Sequence, residues 1–162
     1  LVVFDCKGST CLTSSSDDGT INIWNMEEQK LLGTLQQCSE GEKCAARSLA
    51  VFDCKTSTCL ASGGTNKRIK IWNLEKQMLL GSLEGHSDWV RSIAAFDCGG
   101  SKCLASSSDR ETIKIWSMEE YKLLGTLKGH SGFVSSIATY DCGGLTCLAS
   151  GSADETIKLW KK

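Results

Sequence analysis

Apolar residues in this chain come in short alternating bursts. Thr20-Ile21-Asn22-Ile23-Trp24, Arg68-Ile69-Lys70-Ile71-Trp72, Thr112-Ile113-Lys114-Ile115-Trp116 and Thr156-Ile157-Lys158-Leu159-Trp160 each alternate apolar and polar side chains, the period of a half-buried strand. The four tryptophans are spaced by 48, 44 and 44 residues, the longer gap reflecting four extra residues between Leu35 and Arg47. A β-rich period in the mid-forties points to a propeller or solenoid unit. Within one period the pattern predicts strands over 89–97, 102–107, 112–116 and 123–127, separated by Gly-Gly, Asp-Arg and Met-Glu-Glu turns. The result is an antiparallel meander, repeated. No helix is predicted, because Met118–Lys122 is only about one turn long.

Gly129-His130, Val134, Ile137, Leu148-Ala149-Ser150-Gly151-Ser152, Asp154 and Ile157-Lys158-Leu159-Trp160 resemble the WD-repeat β-propeller family, in four copies over nearly the whole chain. The copies depart from the family in ending Trp-Asn, Trp-Ser or Trp-Lys. The resemblance implies an all-β fold of four-stranded antiparallel blades, with strands lettered a to d from the channel outward. Blade one is expected at 1–36, blade two at 45–84, blade three at 89–128, and blade four at 133–162 without its outer strand. Such propellers usually carry about seven blades. The chain is therefore expected to be part of a larger ring. A four-blade open arc, or a homodimer completing an eight-blade ring, is the alternative.

His130, Ser150 and Asp154 supply the residue types of a hydrolytic triad, and a hydrolase using Ser150 and His130 is the remote alternative. Topology offers a simpler role. The d–a loop and the b–c turn share one end of a blade, so a relay can run from the Trp160 indole through Ser150 and His130 to Asp154. The resemblance implies that this tetrad is a structural lock. It repeats incompletely. Blade three has His86, Ser106 and Trp116, with Asp109 one residue early and Arg110 in the acidic slot. Blade two has Cys38 in the histidine slot and Asn66 in the acidic one. Blade one keeps Ser14, Asp18 and Trp24. Blade four is thus expected to be stiffest and blade two loosest.

Ten cysteines need an account. Cys6/Cys11, Cys54/Cys59, Cys98/Cys103 and Cys142/Cys147 all read Asp-Cys-x4-Cys across an a–b turn. If the two face each other across the ladder, a hairpin disulfide is geometrically sound. The intracellular setting implied by the resemblance favours reduced thiols instead. Zinc would need ligands from a second blade, so no metal or other cofactor is expected. Cys38 and Cys44 fall outside the pattern and read as exposed loop thiols.

Lysine and arginine total 18 and aspartate and glutamate 19, a net charge of -1. That balance argues against nucleic acid as a partner, and no apolar run approaches the roughly 18 residues of a membrane span. Proline is absent, so Gly, Asp, Asn and Ser must make the turns. The opening Leu1-Val2-Val3-Phe4-Asp5 lacks an initiator methionine, and further upstream sequence is expected. The end of the blades bearing d–a loops and b–c turns carries Trp89, Arg91, Phe133, Arg47 and Arg110, residue types that dominate binding surfaces. Arg47 with Arg91 is a thin case for phosphopeptide binding, and Lys70, Lys114 and Lys158 read as a solvated stripe. The resemblance implies a non-catalytic scaffold that binds proteins or peptides through this end. It is expected in the cytoplasm, with the nucleus also open and secretion only if the cysteine pairs are disulfides. A disulfide-stapled or redox-responsive structural module is the competing reading.

Overall fold

The computed structural model describes residues 1–161; Lys162, the last residue of the expected blade four, lies outside them. The described residues form fifteen strands and no helix. β1 (Val2–Asp5), β2 (Thr10–Ser15), β3 (Thr20–Asn25) and β4 (Lys30–Gln36) make the first sheet. The second comprises β5 (Ala46–Cys54), β6 (Ser57–Gly64), β7 (Ile69–Asn73) and β8 (Met78–Leu83). The third comprises β9 (Val90–Cys98), β10 (Ser101–Ser108), β11 (Ile113–Ser117) and β12 (Lys122–Leu127). β13 (Val134–Asp141), β14 (Thr146–Ser152) and β15 (Ile157–Trp160) form a three-stranded fourth sheet. Every pairing is antiparallel between sequence neighbours. This is the architecture of propeller blades.

The core lies between blades rather than within them. Each meander has two apolar faces, and those that meet a neighbouring sheet are buried against it. Ile21, Ile23 and Leu35 of blade one pack with Leu49, Leu60 and Trp72 of blade two. Ile69, Ile71 and Leu83 pack with Ile93, Leu104 and Trp116 of blade three. Ile113 packs with Ile137 and Leu148 of blade four, with Trp160 alongside. The alternation in the sequence therefore reads as the two faces of each blade, both of them covered in the middle of the chain.

Two local features position the functional end. Register shifts at Ala46/Ser48, Ser107/Ser108 and Val134/Ser136 mark β-bulges at the start of the inner strands. Such bulges re-aim side chains at a sheet rim, and Arg47 and Arg91 are bulge residues. The b–c turn also needs a left-handed residue. Gly19 provides it in blade one at φ +83, whereas Lys67, Glu111 and Glu155 adopt φ of 65, 61 and 65 in the others. Glycine is required at position 19 for a second reason: a Cβ there would lie 2.6 Å from the Cys44 carbonyl oxygen of the expanded loop.

Candidate functional site

Four relays begin alike. The indole N–H of Trp24, Trp72, Trp116 and Trp160 donates to Ser14, Ser62, Ser106 and Ser150 at 2.9, 2.8, 2.7 and 2.8 Å. Strand pairing sets each Trp opposite Leu12, Leu60, Leu104 or Leu148 on the second strand, so the indole reaches its serine diagonally along one face. Beyond the serine, the four blades diverge.

In blade four, Ser150 Oγ lies 2.8 Å from His130 Nε2, and His130 Nδ1 lies 2.7 Å from Asp154 Oδ2. A hydroxyl that accepts from an indole gives its own proton to the imidazole. Nε2 is therefore the acceptor, and Nδ1–H donates to the carboxylate. Asp154 also accepts from the Thr156 hydroxyl at 2.6 Å, the Thr156 amide at 3.0 Å and the Ser131 amide at 3.0 Å. These donors, the Thr156 hydroxyl foremost, hold its carboxyl well below the usual carboxylate range. The nucleophile reading requires an accessible hydroxyl. Ser150 is 1% exposed and held between an indole and an imidazole.

In blade three, His86 Nε2 meets Ser106 Oγ at 2.6 Å, and there the relay stops. His86 Nδ1 is buried without a partner. The placement of Asp109 in this tetrad needs correction: Asp109 forms a bidentate pair with Arg91 instead. Arg110, at the acidic slot, turns outward to Asp88 at 3.5 Å. Burial, with Lys114 as a lesser neighbour, pushes the His86 imidazole down to about 4.

In blade two the histidine slot belongs to Gln37, not Cys38. Ser62 Oγ donates to Gln37 Oε1 at 2.6 Å, and Gln37 Nε2 donates to Asn66 Oδ1 at 3.1 Å. Asn66 Nδ2 returns a bond to the Gln37 carbonyl at 2.9 Å. The loop expansion lets the chain offer the preceding residue, whose long amide reaches the serine while Cys38 faces Cys44. This relay is neutral and closed, which removes the ground on which blade two is expected to be the loosest. In blade one, Asp18 accepts from the Thr20 hydroxyl and amide, and the hydroxyl is the main cause of its lowered carboxyl pKa.

The cysteines pair completely: Cys6–Cys11, Cys54–Cys59, Cys98–Cys103, Cys142–Cys147 and Cys38–Cys44. Three expectations change. The hairpin cysteines, favoured as reduced thiols, are bonded. Cys38 and Cys44 are bonded to each other, with Cys44 buried, rather than exposed thiols. The hairpin cysteines also do not stand directly opposite one another. Cys54 pairs with Ser57 and Cys59 with Phe52 in the ladder, so the bond is diagonal, with Cα atoms 5.8 Å apart. Among the described residues, no three His, Cys, Asp or Glu side chains converge as metal ligands.

At the same end of the blades, Trp89 is 41% and Phe133 40% exposed. The Arg91 guanidinium lies over the Phe133 ring, 4.4 Å from its centroid. Each candidate arginine already has a carboxylate: Arg47 meets Asp17 at 3.3 Å, Arg91 meets Asp109 and Arg110 meets Asp88. These pairs weaken the case for a phosphate site at Arg47 and Arg91. Lys70 is not simply solvated either. Its ammonium lies 5.4 Å from the Trp72 ring centroid and donates to the Gln36 carbonyl.

The WD domain, G-beta repeat family matches residues 2–25, 30–73, 77–117 and 121–161. Each of the last three matches begins near an outer strand and runs through the three inner strands of the next blade, so the repeat straddles two blades. No curated protein matches the sequence. Among solved structures, the chain is similar to "Structure of U3-55K" at 26% identity and TM-score 0.81, covering 96% of this chain and 46% of that one. It is also similar to "Crystal structure of RRP9 WD40 repeats" at 26% identity and TM-score 0.81, covering 94% and 44%. The chain spans less than half the length of either.

Proposed function

Because this chain belongs to the WD-repeat family, whose members generally act as protein-interaction scaffolds, we propose that it is a non-catalytic scaffold whose d–a and b–c end receives protein or peptide partners. The observation that carries this reading is the exposed Trp89–Phe133 pair, set among arginines already neutralised by Asp17, Asp88 and Asp109. Rigid aromatics with little net charge around them suit an apolar or aromatic peptide segment better than an anion. The relays beneath hold the loops in place. Their serine and histidine groups are consumed by one another.

Two variants separate scaffold from enzyme. Ser150→Ala is expected to lower Tm while leaving partner capture by the folded protein intact. Trp89→Ala with Phe133→Ala is expected to abolish capture with Tm unchanged. A folded Ser150→Ala protein that loses a hydrolytic activity of the parent chain would overturn the reading.

The bonded cysteines favour a second reading, a disulfide-stapled module, which differs in compartment. The scaffold reading places the chain in the cytoplasm or nucleus, where thiols are kept reduced; the stapled reading needs an oxidising setting. Thiol titration of protein denatured directly from its native compartment distinguishes them: ten reactive thiols support the first, none the second.

A further inference from the structure

We propose that blade three binds a carboxylate from outside the chain, the side chain of an aspartate or glutamate on a peptide partner, in the place that Asp154 fills in blade four. Such a site rests on the scaffold reading and adds one acidic residue to its apolar peptide.

Blade four shows what the place requires. Asp154 accepts from His130 Nδ1, from the Thr156 hydroxyl and from the amides of Thr156 and Ser131. His86, Ser87 and Thr112 repeat His130, Ser131 and Thr156 at the same positions of blade three. The frame that holds them repeats too. His86 lies edge-on to Trp116 with ring centroids 5.9 Å apart, as His130 does to Trp160 at 6.1 Å. Glu111 and Glu155 close their turns at φ 61 and 65. Ser108 Oγ accepts from the Arg110 amide just as Ser152 Oγ accepts from that of Asp154. Only the acceptor differs.

Ser106 accepts from the Trp116 indole and gives its own proton to His86 Nε2, so Nδ1 carries the hydrogen. That N–H is buried without a partner. Arg110, in the acidic slot, has no acceptor to offer it. The Arg110 side chain is 69% exposed and meets Asp88 at 3.5 Å, a surface pair that holds it weakly. An incoming carboxylate gains a charge-assisted bond from the His86 N–H and leaves the guanidinium free to pair with it. A carboxylate, rather than a larger anion, matches the place because blade four fills it with one. Trp89, 41% exposed at the same end of the blade, offers the neighbouring apolar contact.

Sodium acetate is the probe, titrated at neutral pH against sodium chloride of equal ionic strength, with the imidazole nitrogens followed by NMR. The chain has two histidines, so His130, whose relay is complete, serves as the internal control for fold and salt. A saturable shift of His86 Nδ1 is expected, with His130 unmoved. Arg110→Asp supplies the carboxylate from within the chain and is expected to abolish the shift. Arg110→Ala leaves the donors in place and is expected to keep it. The absence of a saturable shift at His86, or an equal one at His130, would overturn the proposal. So would a shift that survives Arg110→Asp, or one lost in Arg110→Ala. None of these readouts involves Trp89 or Phe133, so the scaffold reading stands or falls separately, on partner capture.

Discussion

Blades two and three stand side by side in the middle of the chain and start their relays identically, with an indole bonded to a serine. Blade two ends its relay on Gln37 and Asn66, two neutral amides that satisfy each other. Blade three ends on His86 Nδ1, which has no partner. The other buried orphan among the described residues, Ser107 Oγ, also belongs to blade three, where blade two has Gly63 and no group to satisfy. Agreement with a family motif and completeness of bonding are therefore different quantities. The blade that keeps the motif histidine is the one left open, and the blade that loses it is closed. What counts is whether each buried donor and acceptor is matched.

Opening blade two should break this contrast most visibly. Gln37→Ala strands the Ser62 hydroxyl and the Asn66 amide in a buried site, and the loss is expected to be about 3–5 kcal/mol, measured by urea unfolding. His86→Ala should cost clearly less.

Acid should act on blade three next. The unfolded His86 takes up a proton near its ordinary 6.5, whereas the folded one resists until about 4. Between those values the unfolded chain binds more protons, so stability falls as pH falls. The window is worth about 3 kcal/mol. Unfolding midpoints from pH 7 to pH 4 should fall for the wild type and flatten for His86→Gln. Asp154 works in the opposite range. Its carboxyl is depressed in the fold, so its contribution is intact above the unfolded value of about 3.9 and is lost only below it.

Strand positions were legible because a two-residue alternation repeats four times; that period left propeller and solenoid both open, and the resemblance to the WD repeat decided for the propeller. The site was legible where loop lengths are equal. Blade four's relay follows directly from its residue order, but blade two's does not. Linear counting puts Cys38 in the slot, and only the loop expansion explains why Gln37 reaches it. Asp109 misleads for a related reason. A bulge turns Arg91 toward it, and nothing in the residue types around Arg91 announces a bulge. The cysteine ladder is offset by two residues, because the length of a turn does not fix which residues stand opposite.

Closing blade three should sharpen the contrast by removing it. Arg110→Asp places a carboxylate where Asp154 stands in blade four. It is expected to stabilise by about 1–2 kcal/mol and to narrow the acid-sensitive window, since a carboxylate partner favours the charged imidazole. The exposed Arg110–Asp88 pair it sacrifices is worth little. Ser107→Ala, which deletes the second orphan, should stabilise by about 1 kcal/mol in the same urea assay.

Native-state amide exchange, resolved by strand, tests the central claim most directly, because blades two and three are both interior and free of end effects. Protection factors for β6 and β7 should exceed those for β10 and β11 at pH 7, with the gap widening toward pH 5 as His86 is driven to protonate on opening. Equal protection, or better protection in blade three, would contradict the view that matched buried groups rather than the motif histidine hold a blade together.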